Sequence, residues 1–476
     1  MPNALKDKAK AVNAAKAKEI SGIAISILII IAAYFVPESG KLTHAGIMTI
    51  ALLLAFLAMV ITEVLPLVLT CLIFVGLMPV LGATANFNTA LTGFSNQVVF
   101  FVFASCGIAE AFAAVPLSNR ILVSLLRIFG KNVKSMIFAI MLGAALVSSC
   151  VSNVPTCVIF MAIGLRFLEL YEDNVAKRRT GRTFMIAIPI ASMIGGMMTP
   201  AGSSINLLAI SLLEQYTGKT ITFVQWMMAG IPLTAVILPV AWLLMVRIYK
   251  PAEINGEMVK AFISTMDVPK KMDSQEKKVV VVVLVMFVLW VLSSWVRSIN
   301  IMVVAVLGCC VFFLPGVRVL EIKKFLRENN WDPFFLMGAV MSLGTAMVAN
   351  GVSDWIISLM PTLKMSPFVL VGFVVLLMFV LLLIIPVAPS LVAIMATPMI
   401  ALAAGANVSP ILTVLACGLC AGNCYLLPLD TVTILTYGTG YYSMTDMPKS
   451  TVWIQLFIVV VMALWLPVVG IMFNWL

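Results

Sequence analysis

The chain has 476 residues, of which 62% are hydrophobic and 11% are charged, and its mean hydropathy is +1.12. Soluble domains average about 45–50% apolar and about 25% charged residues. This composition excludes a soluble enzyme, a nucleic-acid-binding protein, a disordered chain and a disulfide scaffold. Apolar runs of about 20 residues recur along the whole length and predict an all-α polytopic membrane protein embedded in a lipid bilayer.

Residue types also exclude several kinds of catalytic site. The only histidine, His44, lies in a short polar connection, so neither a histidine-ligated metal site nor a Ser-His-Asp triad is predicted. The sequence contains no Gly-rich phosphate loop. Cys417 and Cys420 have CxxC spacing without a second pair, which favours buried small residues over a zinc or redox site. No enzymatic activity is predicted.

Eleven apolar segments have the length of a membrane span. Before them, residues 1–18 carry five lysines and predict a cytoplasmic tail or an interfacial amphipathic helix. The predicted spans are 19–36, 46–62, 65–81, 97–115, 184–212, 224–248, 279–297, 299–316, 332–350, 410–442 and 451–475.

Two further apolar segments, 135–170 and 366–403, are too long for one helix. Each has a polar or proline-containing break near its middle, SNVP at 152–155 and PVAPS at 386–390. We refer to these breaks as the first and second hairpin tips, because a segment broken there can enter the membrane and return to the same side. The sequence therefore predicts two re-entrant helical hairpins.

The distribution of basic residues favours these hairpins. With both segments re-entrant and the N-terminus inside, 26 of the 30 basic residues fall on the cytoplasmic side, as the positive-inside rule requires. If the first segment crossed the membrane, the basic clusters at 120–134 and 177–182 would lie on opposite sides. The net charge of +10 is therefore a signal of topology, and no nucleic-acid partner is predicted.

The two halves resemble each other in order. Residues 113–121 match 349–356, a hairpin follows each, and each hairpin is followed by a helix interrupted at a proline, at 199–204 and at 427–431. Five spans and one hairpin make a unit, and an odd number of spans gives the two units opposite orientations. One such proline is explained by a helix kink, whereas four breaks at paired positions favour the inverted repeats of a secondary transporter.

Broken helices provide binding groups inside a membrane. The N-terminus of a half-helix carries partial positive charge that suits an anion, and the exposed carbonyl groups suit a small cation. In hydrocarbon such unpaired backbone groups are costly unless they line a wet site. The four ends predict one site for a small anionic substrate and one or two cation sites.

At these residues the sequence resembles the divalent anion:sodium symporter family, whose members carry di- and tricarboxylates or sulfate. The similarity covers nearly the whole chain, and its strength lies in the shared order of the motifs. They are TEVLPLVLT (62–70), GFSNQVVF (93–100), SNVPT (152–156), GGMMTPAGSSIN (195–206), WDPFFLMG (331–338) and YGTGYYSMTDM (437–447).

The resemblance implies a homodimer and an elevator mechanism, in which a transport domain slides along a scaffold domain. It also implies a division of the chain. The scaffold comprises 19–131 (spans 1–4) and 279–365 (spans 7–9), the transport domain comprises 132–248 and 366–476, and 249–278 is a cytoplasmic linker.

The resemblance further implies residue roles. The first cation site, for Na⁺, would use Ser148, Ser152, Asn153 and the backbone around Gly202. The substrate carboxylates would meet Ser152, Asn153 and Ser203.

Several positions depart from the family pattern. Val154 lacks the hydroxyl of the family's Ser-Asn-Thr tip, and at the second tip Pro389 and Ser390 follow Ala388 where the family has an asparagine. Proline offers neither a side-chain oxygen nor an N–H. Together with Thr431, the positions Val154, Pro389 and Ser390 complete the predicted substrate-binding set.

Asp430 is the most unusual of these residues, because an ionisable group at membrane depth is costly and usually functional. It is predicted to replace the missing asparagine as a cation ligand, to take up a proton, or to bind a cationic group of the substrate. Its other interpretation is as the N-cap of the following half-helix.

The leading functional hypothesis is sodium-coupled symport of a di- or tricarboxylate or a similar small anion. A proton-coupled symporter or an anion exchanger of the same fold is the alternative, with H⁺ in place of Na⁺ as the coupling ion. A passive channel, or a receptor that kept the fold, is the alternative from another class. The predicted location is the cell membrane, with a cytoplasmic N-terminus.

Overall fold

A computed structural model describes residues 22–38, 42–62, 64–254, 256–266, 269, 271–359, 365–423 and 425–476. The predicted N-terminal tail, residues 1–18, lies outside this part of the chain. Within it the regular structure is helical throughout, which confirms the predicted all-α class.

The first half contains eleven helices and two 3₁₀ turns among the described residues. They are α1 (Gly22–Tyr34), α2 (His44–Thr62), α3 (Leu67–Val80), α4 (Phe87–Ala90), a 3₁₀ turn (Thr92–Ser95), α5 (Gln97–Ala113), α6 (Leu117–Phe129), α7 (Val133–Val151), α8 (Asn153–Leu168), α9 (Asn174–Gly196), a 3₁₀ turn (Pro200–Gly202), α10 (Ser204–Thr217) and α11 (Phe223–Tyr249).

The second half follows in the same order. Its helices are α12 (Gly256–Thr265), α13 (Ser274–Leu292), α14 (Ile301–Val311), α15 (Ile322–Glu328), α16 (Asp332–Ala349), α17 (Val352–Leu359), α18 (Pro367–Ile384), α19 (Ala388–Gly405), α20 (Pro410–Ala421), α21 (Thr431–Tyr437) and α22 (Pro448–Met472).

Seven of the described helices are long and apolar enough to cross a membrane, or eight if α5 and α6, bent by 62°, form one span. Each predicted span coincides with a helix or with a divided pair of helices. The predicted segments 184–212 and 410–442 are each divided, into α9 and α10 and into α20 and α21. These divisions fall beside prolines, which end helices because proline lacks the N–H. The total of eleven spans stays a prediction.

The first hairpin forms from α7 and α8, with Ser152 alone between them. Gly143 of α7 lies so close to the ring of Phe160 in α8 that a β-carbon would require the ring to move. Gly143 precedes Ser152 by nine residues and Phe160 follows it by eight. Their contact therefore shows that the two helices run antiparallel. Asn132, the N-cap of α7, and Arg179, in the first turns of α9, line one pocket. Since α9 follows α8 after a short loop, the end of α8 lies near the start of α7. The α7–α8 pair therefore returns to the end of the molecule from which it began.

The second predicted hairpin corresponds to α18 and α19, which are separated by residues 385–387, and its re-entrant course stays a prediction. Next to it, α20 buries Cys417 and Cys420, whose thiols contact the sulfur atoms of Met378 and Met462 at 3.5 and 3.7 Å. The CxxC pair is thus part of the packing of three helices.

The two halves pack reciprocally. From the first half, α10 packs against α19 and α20, and from the second half α21 packs against α8 and α9. The buried Cys157 thiol of α8 donates to the Val432 carbonyl of α21 at 3.6 Å. Each broken helix therefore contacts the hairpin of the other half, which is the arrangement expected of inverted repeats.

Candidate functional site

The first hairpin tip is held in an unusual backbone conformation. Ser152 has φ 96° and ψ 157°, a region that is almost restricted to glycine. This residue ends α7 and starts α8, and its carbonyl accepts a hydrogen bond from Thr156 Oγ1 at 2.8 Å. Strained residues cluster at ligand sites, because the surrounding structure must hold them in place.

The side chains of this tip contact each other. Ser148 Oγ donates to Asn153 Oδ1 at 2.8 Å, and both residues are buried. A β-carbon on Gly196, in the last turn of α9, would collide with Asn153 Oδ1, so the amide lies directly against that backbone. The structure thus brings the tip to the point where α9 ends.

The break between α9 and α10, residues 197–203, completes the cluster. Gly202 lies against the carbonyl of Gly196, with no space for a β-carbon. Asn206 Nδ2 donates to the carbonyls of Gly196 at 2.8 Å and Thr199 at 2.9 Å. Thr199 Oγ1 donates to the Ser149 carbonyl of the hairpin at 2.6 Å. Ser148, Asn153 and Gly202 are therefore assembled around Gly196.

The oxygen atoms of this cluster are neutral. They are the Ser148 hydroxyl, the Asn153 amide oxygen and the carbonyls of Gly196 and Thr199. Unwound carbonyls and amide oxygens are the ligands that broken helices offer to sodium or other coupling ions in transporters. This donor set fits a small monovalent cation.

The predicted substrate residues of the first half lie at two helix starts. Asn153 and Val154 open α8, and Val154 is exposed while Ser152 is half-buried. Because Pro155 has no N–H, the unpaired amides of this first turn are those of Asn153 and Val154. Ser203 is buried and caps α10, its Oγ accepting from the Ile205 N–H at 3.3 Å.

The second tip has a different composition. Pro389 lies in the first turn of α19, so the unpaired amides there are those of Ala388 and Ser390. Ser390 is buried, and its Oγ has no hydrogen-bond partner among the described residues. A buried hydroxyl without a partner is costly and calls for a ligand, a water or an ion.

Asp430 caps α21, and its carboxylate accepts from the Val432 N–H at 2.9 Å. The structure therefore confirms that Asp430 is the N-cap of α21. Asp430 is half-buried and the following Thr431 is exposed. Because Val432 contacts Cys157, one turn beyond Asn153 on α8, the carboxylate of the second half lies beside the hairpin of the first half.

Sequence reasoning did not single out four polar residues of these breaks. Thr199 and Asn206 join the first break to the hairpin, as described above. In the second break, residues 422–430, both Asn423 Oδ1 and the Tyr425 hydroxyl are buried without a partner among the described residues. The sequence feature that could have identified all four is a polar side chain next to a proline-containing break in an apolar segment.

Together, the helical fold, the interrupted helices and the polar cluster define a polytopic membrane transporter. In comparisons with solved structures, the chain is similar to MtrF of Neisseria gonorrhoeae, described as illuminating a class of antimetabolite efflux pumps, with TM-score 0.57, 12% identity and 94% of each chain covered. It is also similar to the YdaH transporter of Alcanivorax borkumensis, with TM-score 0.51, 16% identity and 81% of this chain and 87% of that chain covered. These likenesses concern the fold.

The citrate transporter (CitMHS) family model matches residues 56–418, and the chain belongs to this family. It is similar to the sodium-dependent dicarboxylate transporter SdcS of Staphylococcus saprophyticus, at 23% identity over 94% of this chain and 90% of the relative. SdcS of Staphylococcus aureus is 23% identical over 90% of this chain and 87% of the relative. The predicted membership of the divalent anion:sodium symporter family is confirmed, and the chain is a transporter rather than an enzyme.

Proposed function

We propose that the chain is a secondary active transporter that couples uptake of a di- or tricarboxylate to sodium. The observation that carries the proposal is the buried Ser148–Asn153 hydrogen bond of 2.8 Å at the first hairpin tip, packed against the unwound backbone at Gly196. Relatives named as sodium-dependent dicarboxylate transporters support both the cation and the substrate class.

In this proposal, Na⁺ binds to Ser148, Ser152, Asn153 and the backbone around Gly202. The bound cation adds positive charge next to the start of α8, whose unpaired amides already favour an anion. One substrate carboxylate then meets Ser152, Asn153 and Ser203. Two backbone amides alone stabilise a dianion poorly, so the substrate binds after the cation. This order couples transport of the substrate to transport of the cation.

The second half supplies the other end of the substrate site and the second ion. Pro389, Ser390 and Thr431 face the second substrate carboxylate. The Ser390 hydroxyl, which has no partner in the part of the chain that the structure describes, is available as a donor. Asp430 is the second coupling group, because its carboxylate is the one negative side chain at the helix breaks described above. A second sodium ion or a proton neutralises it during transport.

The transport domain in this proposal combines 132–248 with 366–476. The reciprocal packing of α10 on α19 and of α21 on α8 supports a single moving unit. Side-chain hydrogen bonds of 3.2 Å join it to the scaffold, from Asn96 to Ser211 and from Gln215 to Thr345. Such bonds between uncharged groups are individually weak, about 1 kcal/mol each, and suit an interface that slides.

The elevator motion, the homodimer formed through the scaffold and the cytoplasmic N-terminus in the cell membrane are further parts of the proposal. They rest on the family and on the distribution of basic residues. Crosslinking in native membranes tests the dimer, and recovery of monomers alone would contradict it.

Proton-coupled transport, or exchange of one anion for another, is the second candidate. The observation that favours it is Asp430, a carboxylate beside the first hairpin in a half that lacks the family's second asparagine. A carboxylate that takes up a proton can replace a bound sodium ion as the charge-balancing step.

The test is uptake of labelled succinate into proteoliposomes containing the purified protein, driven by an inward sodium gradient at equal pH. We expect accumulation above equilibrium. Accumulation that needs a proton gradient, or that needs internal succinate, would replace sodium coupling by the second candidate. Uptake that neither saturates nor exceeds equilibrium would indicate a passive channel.

A further inference from the structure

A basic pocket lies at the end of the molecule where the first hairpin begins and returns. It has a volume of about 760 Å³ and is lined by residues from the start of α7, the first turns of α9 and the end of α11. Four basic side chains line it, Lys134, Arg179, Arg247 and Lys250, together with the single carboxylate of Glu253.

The carboxylate already has its partners. Glu253 accepts from the Val133 N–H at the start of α7 at 3.0 Å, and its other oxygen lies 3.6 Å from Lys134 Nζ. Among the described residues, Arg179, Arg247 and Lys250 take part in none of the ion pairs. The pocket therefore keeps an excess of three positive charges on exposed side chains.

The usual reason for basic residues at helix ends explains only part of this set. Arg247 and Lys250 lie at the C-terminus of α11, where positive charge complements the helix dipole. Arg179 is the sixth residue of α9, beyond the first turn in which the helix dipole acts, so the dipole does not account for it. The positive-inside rule accounts for the side of the membrane on which these three residues lie, and a bound anion would account for their convergence on one pocket.

Apart from Asn132 and Ser135 at the start of α7, the remaining lining of the pocket is apolar and includes an aromatic side chain. Trp242 Nε1 donates to the Lys134 carbonyl at 2.8 Å, and its ring packs on Phe138 at 5.2 Å between ring centroids. Leu243, also in the lining, is 38% exposed. Tryptophan at the end of a spanning helix is typical of the boundary between hydrocarbon and headgroups. Charge and apolar surface thus meet in one pocket, and the tryptophan near the end of the helix indicates headgroup depth.

We propose that this pocket binds the phosphate group of an anionic glycerophospholipid, with its glycerol and acyl chains along Trp242 and Leu243. Basic pockets between spanning helices are a known form of headgroup recognition. The ligand chemistry is a phosphate monoanion held by Arg179, Arg247 and Lys250. A soluble phosphate offers the same group without the apolar part, so the test separates the two.

The test uses native mass spectrometry of the purified full chain, delipidated in detergent and titrated with phosphatidylglycerol. The pocket variant is Arg179→Gln/Arg247→Gln. The control variant is Arg178→Gln/Arg327→Gln, which removes the same charge from arginines that do not line the pocket. We expect the pocket variant to bind phosphatidylglycerol about thirtyfold more weakly, since each basic residue near an anionic lipid contributes about a factor of five. The control should bind within about twofold of the wild type.

Three results would overturn the proposal. The first is an equal loss of phosphatidylglycerol binding in both variants, which would indicate that general surface charge is responsible. The second is no loss of binding in the pocket variant. The third is binding of glycerol 1-phosphate or inorganic phosphate as tight as that of the lipid. Thermal unfolding without lipid shows that the variants are folded. Restoration of binding by Arg179→Lys/Arg247→Lys would support positive charge, rather than side-chain shape, as the recognised feature.

Discussion

The two hairpin tips occupy equivalent positions in the two halves but differ in their chemistry. At the first tip, Ser148, Asn153 and Thr156 are all hydrogen-bonded within the hairpin. At the second, Pro389 occupies the first turn of α19 and the buried Ser390 hydroxyl has no partner among the described residues. One tip thus has a preformed polar cluster and the other a buried hydroxyl without a partner among the described residues, so in the proposed mechanism the two tips make different contributions to binding.

The broken helices show the same division. The Ser203 hydroxyl caps α10 by accepting from Ile205, and the Asp430 carboxylate caps α21 by accepting from Val432, at 3.3 and 2.9 Å. The caps are geometrically alike, but only the second is ionisable. Since α21 packs on α8, the Asp430 carboxylate lies next to the first hairpin. A change at Asp430 should therefore affect coupling without disturbing the cap.

The largest expected effect is at that carboxylate. Asp430→Asn should abolish accumulation of succinate above equilibrium while the protein remains folded, because asparagine caps helices about as well as aspartate but carries no charge. The measurement is gradient-driven uptake in proteoliposomes. Asp173→Asn is the matched control, since Asp173 caps α9 through Val175 and Ala176. Unchanged concentrative uptake by Asp430→Asn would remove Asp430 from the coupling mechanism.

Asn153→Ala should have the next largest effect. It removes the amide oxygen that faces the cluster and leaves Ser148 Oγ without its partner. A hydrogen bond to a charged group contributes about 1.5–3 kcal/mol, so uptake at low sodium should fall by about tenfold to a hundredfold. The measurement is the sodium dependence of initial uptake rates, with the exposed Asn88→Ala as control. Equal sodium dependence in both variants would contradict the assignment.

Restoring an asparagine at the second tip should have a moderate effect. Pro389→Asn supplies both a side-chain amide and a backbone N–H, so half-maximal uptake should need about threefold to tenfold less sodium. Pro389→Ala restores the N–H alone and should shift the curve less. The same sodium titration compares them. Identical curves for the two variants would mean that the missing asparagine is not what distinguishes this tip.

The backbone strain at Ser152 should give a smaller effect, on stability. Ser152→Ala and Ser152→Gly both remove the hydroxyl, but only glycine adopts φ 96° and ψ 157° without strain. After the entropy that glycine loses on folding, the glycine variant should be more stable than the alanine variant by about 1 kcal/mol. Thermal unfolding in detergent measures the difference. A more stable alanine variant would show that the tip is unstrained.

The last prediction concerns the dependence of stability on pH, at the junction between the halves outside the tips. Burial raises the pKa of Asp446, but hydrogen bonds from Lys449 and Ser443 and the charge of Arg182 outweigh it, and its pKa falls to about 2. Because its folded pKa lies below its unfolded value, it stabilises the fold above about pH 4. That stability is lost as the pH falls from about 4 to 2. Asp446→Asn should flatten the pH dependence of unfolding there, and an unchanged profile would contradict it.

The sequence was sufficient for the helix breaks, whereas the residues proposed for the first tip came from the family resemblance and stay a prediction. The length of the apolar segments and their prolines predicted the interruptions at Ser152 and at 385–387, because both features act locally. The N-cap alternative for Asp430 followed from residue type alone. These parts of the fold depend on interactions within a few residues.

The partners across the bundle could not be predicted from the sequence. The bonds from Thr199 to Ser149 and from Asn206 to Gly196 depend on how α7, α9 and α10 pack. The approach of α21 to α8 depends on the reciprocal packing of the halves, which no local pattern encodes. The Asn423 Oδ1 atom and the Tyr425 hydroxyl, which have no partner among the described residues, are recognised only once burial is known.

The most direct test of the difference between the tips is equilibrium binding of radiolabelled sodium to the purified full chain without substrate. The account predicts saturable binding that Asn153→Ala reduces strongly and that the exposed Asn88→Ala leaves unchanged. Sodium binding that is as tight in Asn153→Ala as in the wild type would contradict the assignment of the cation site to the first hairpin tip.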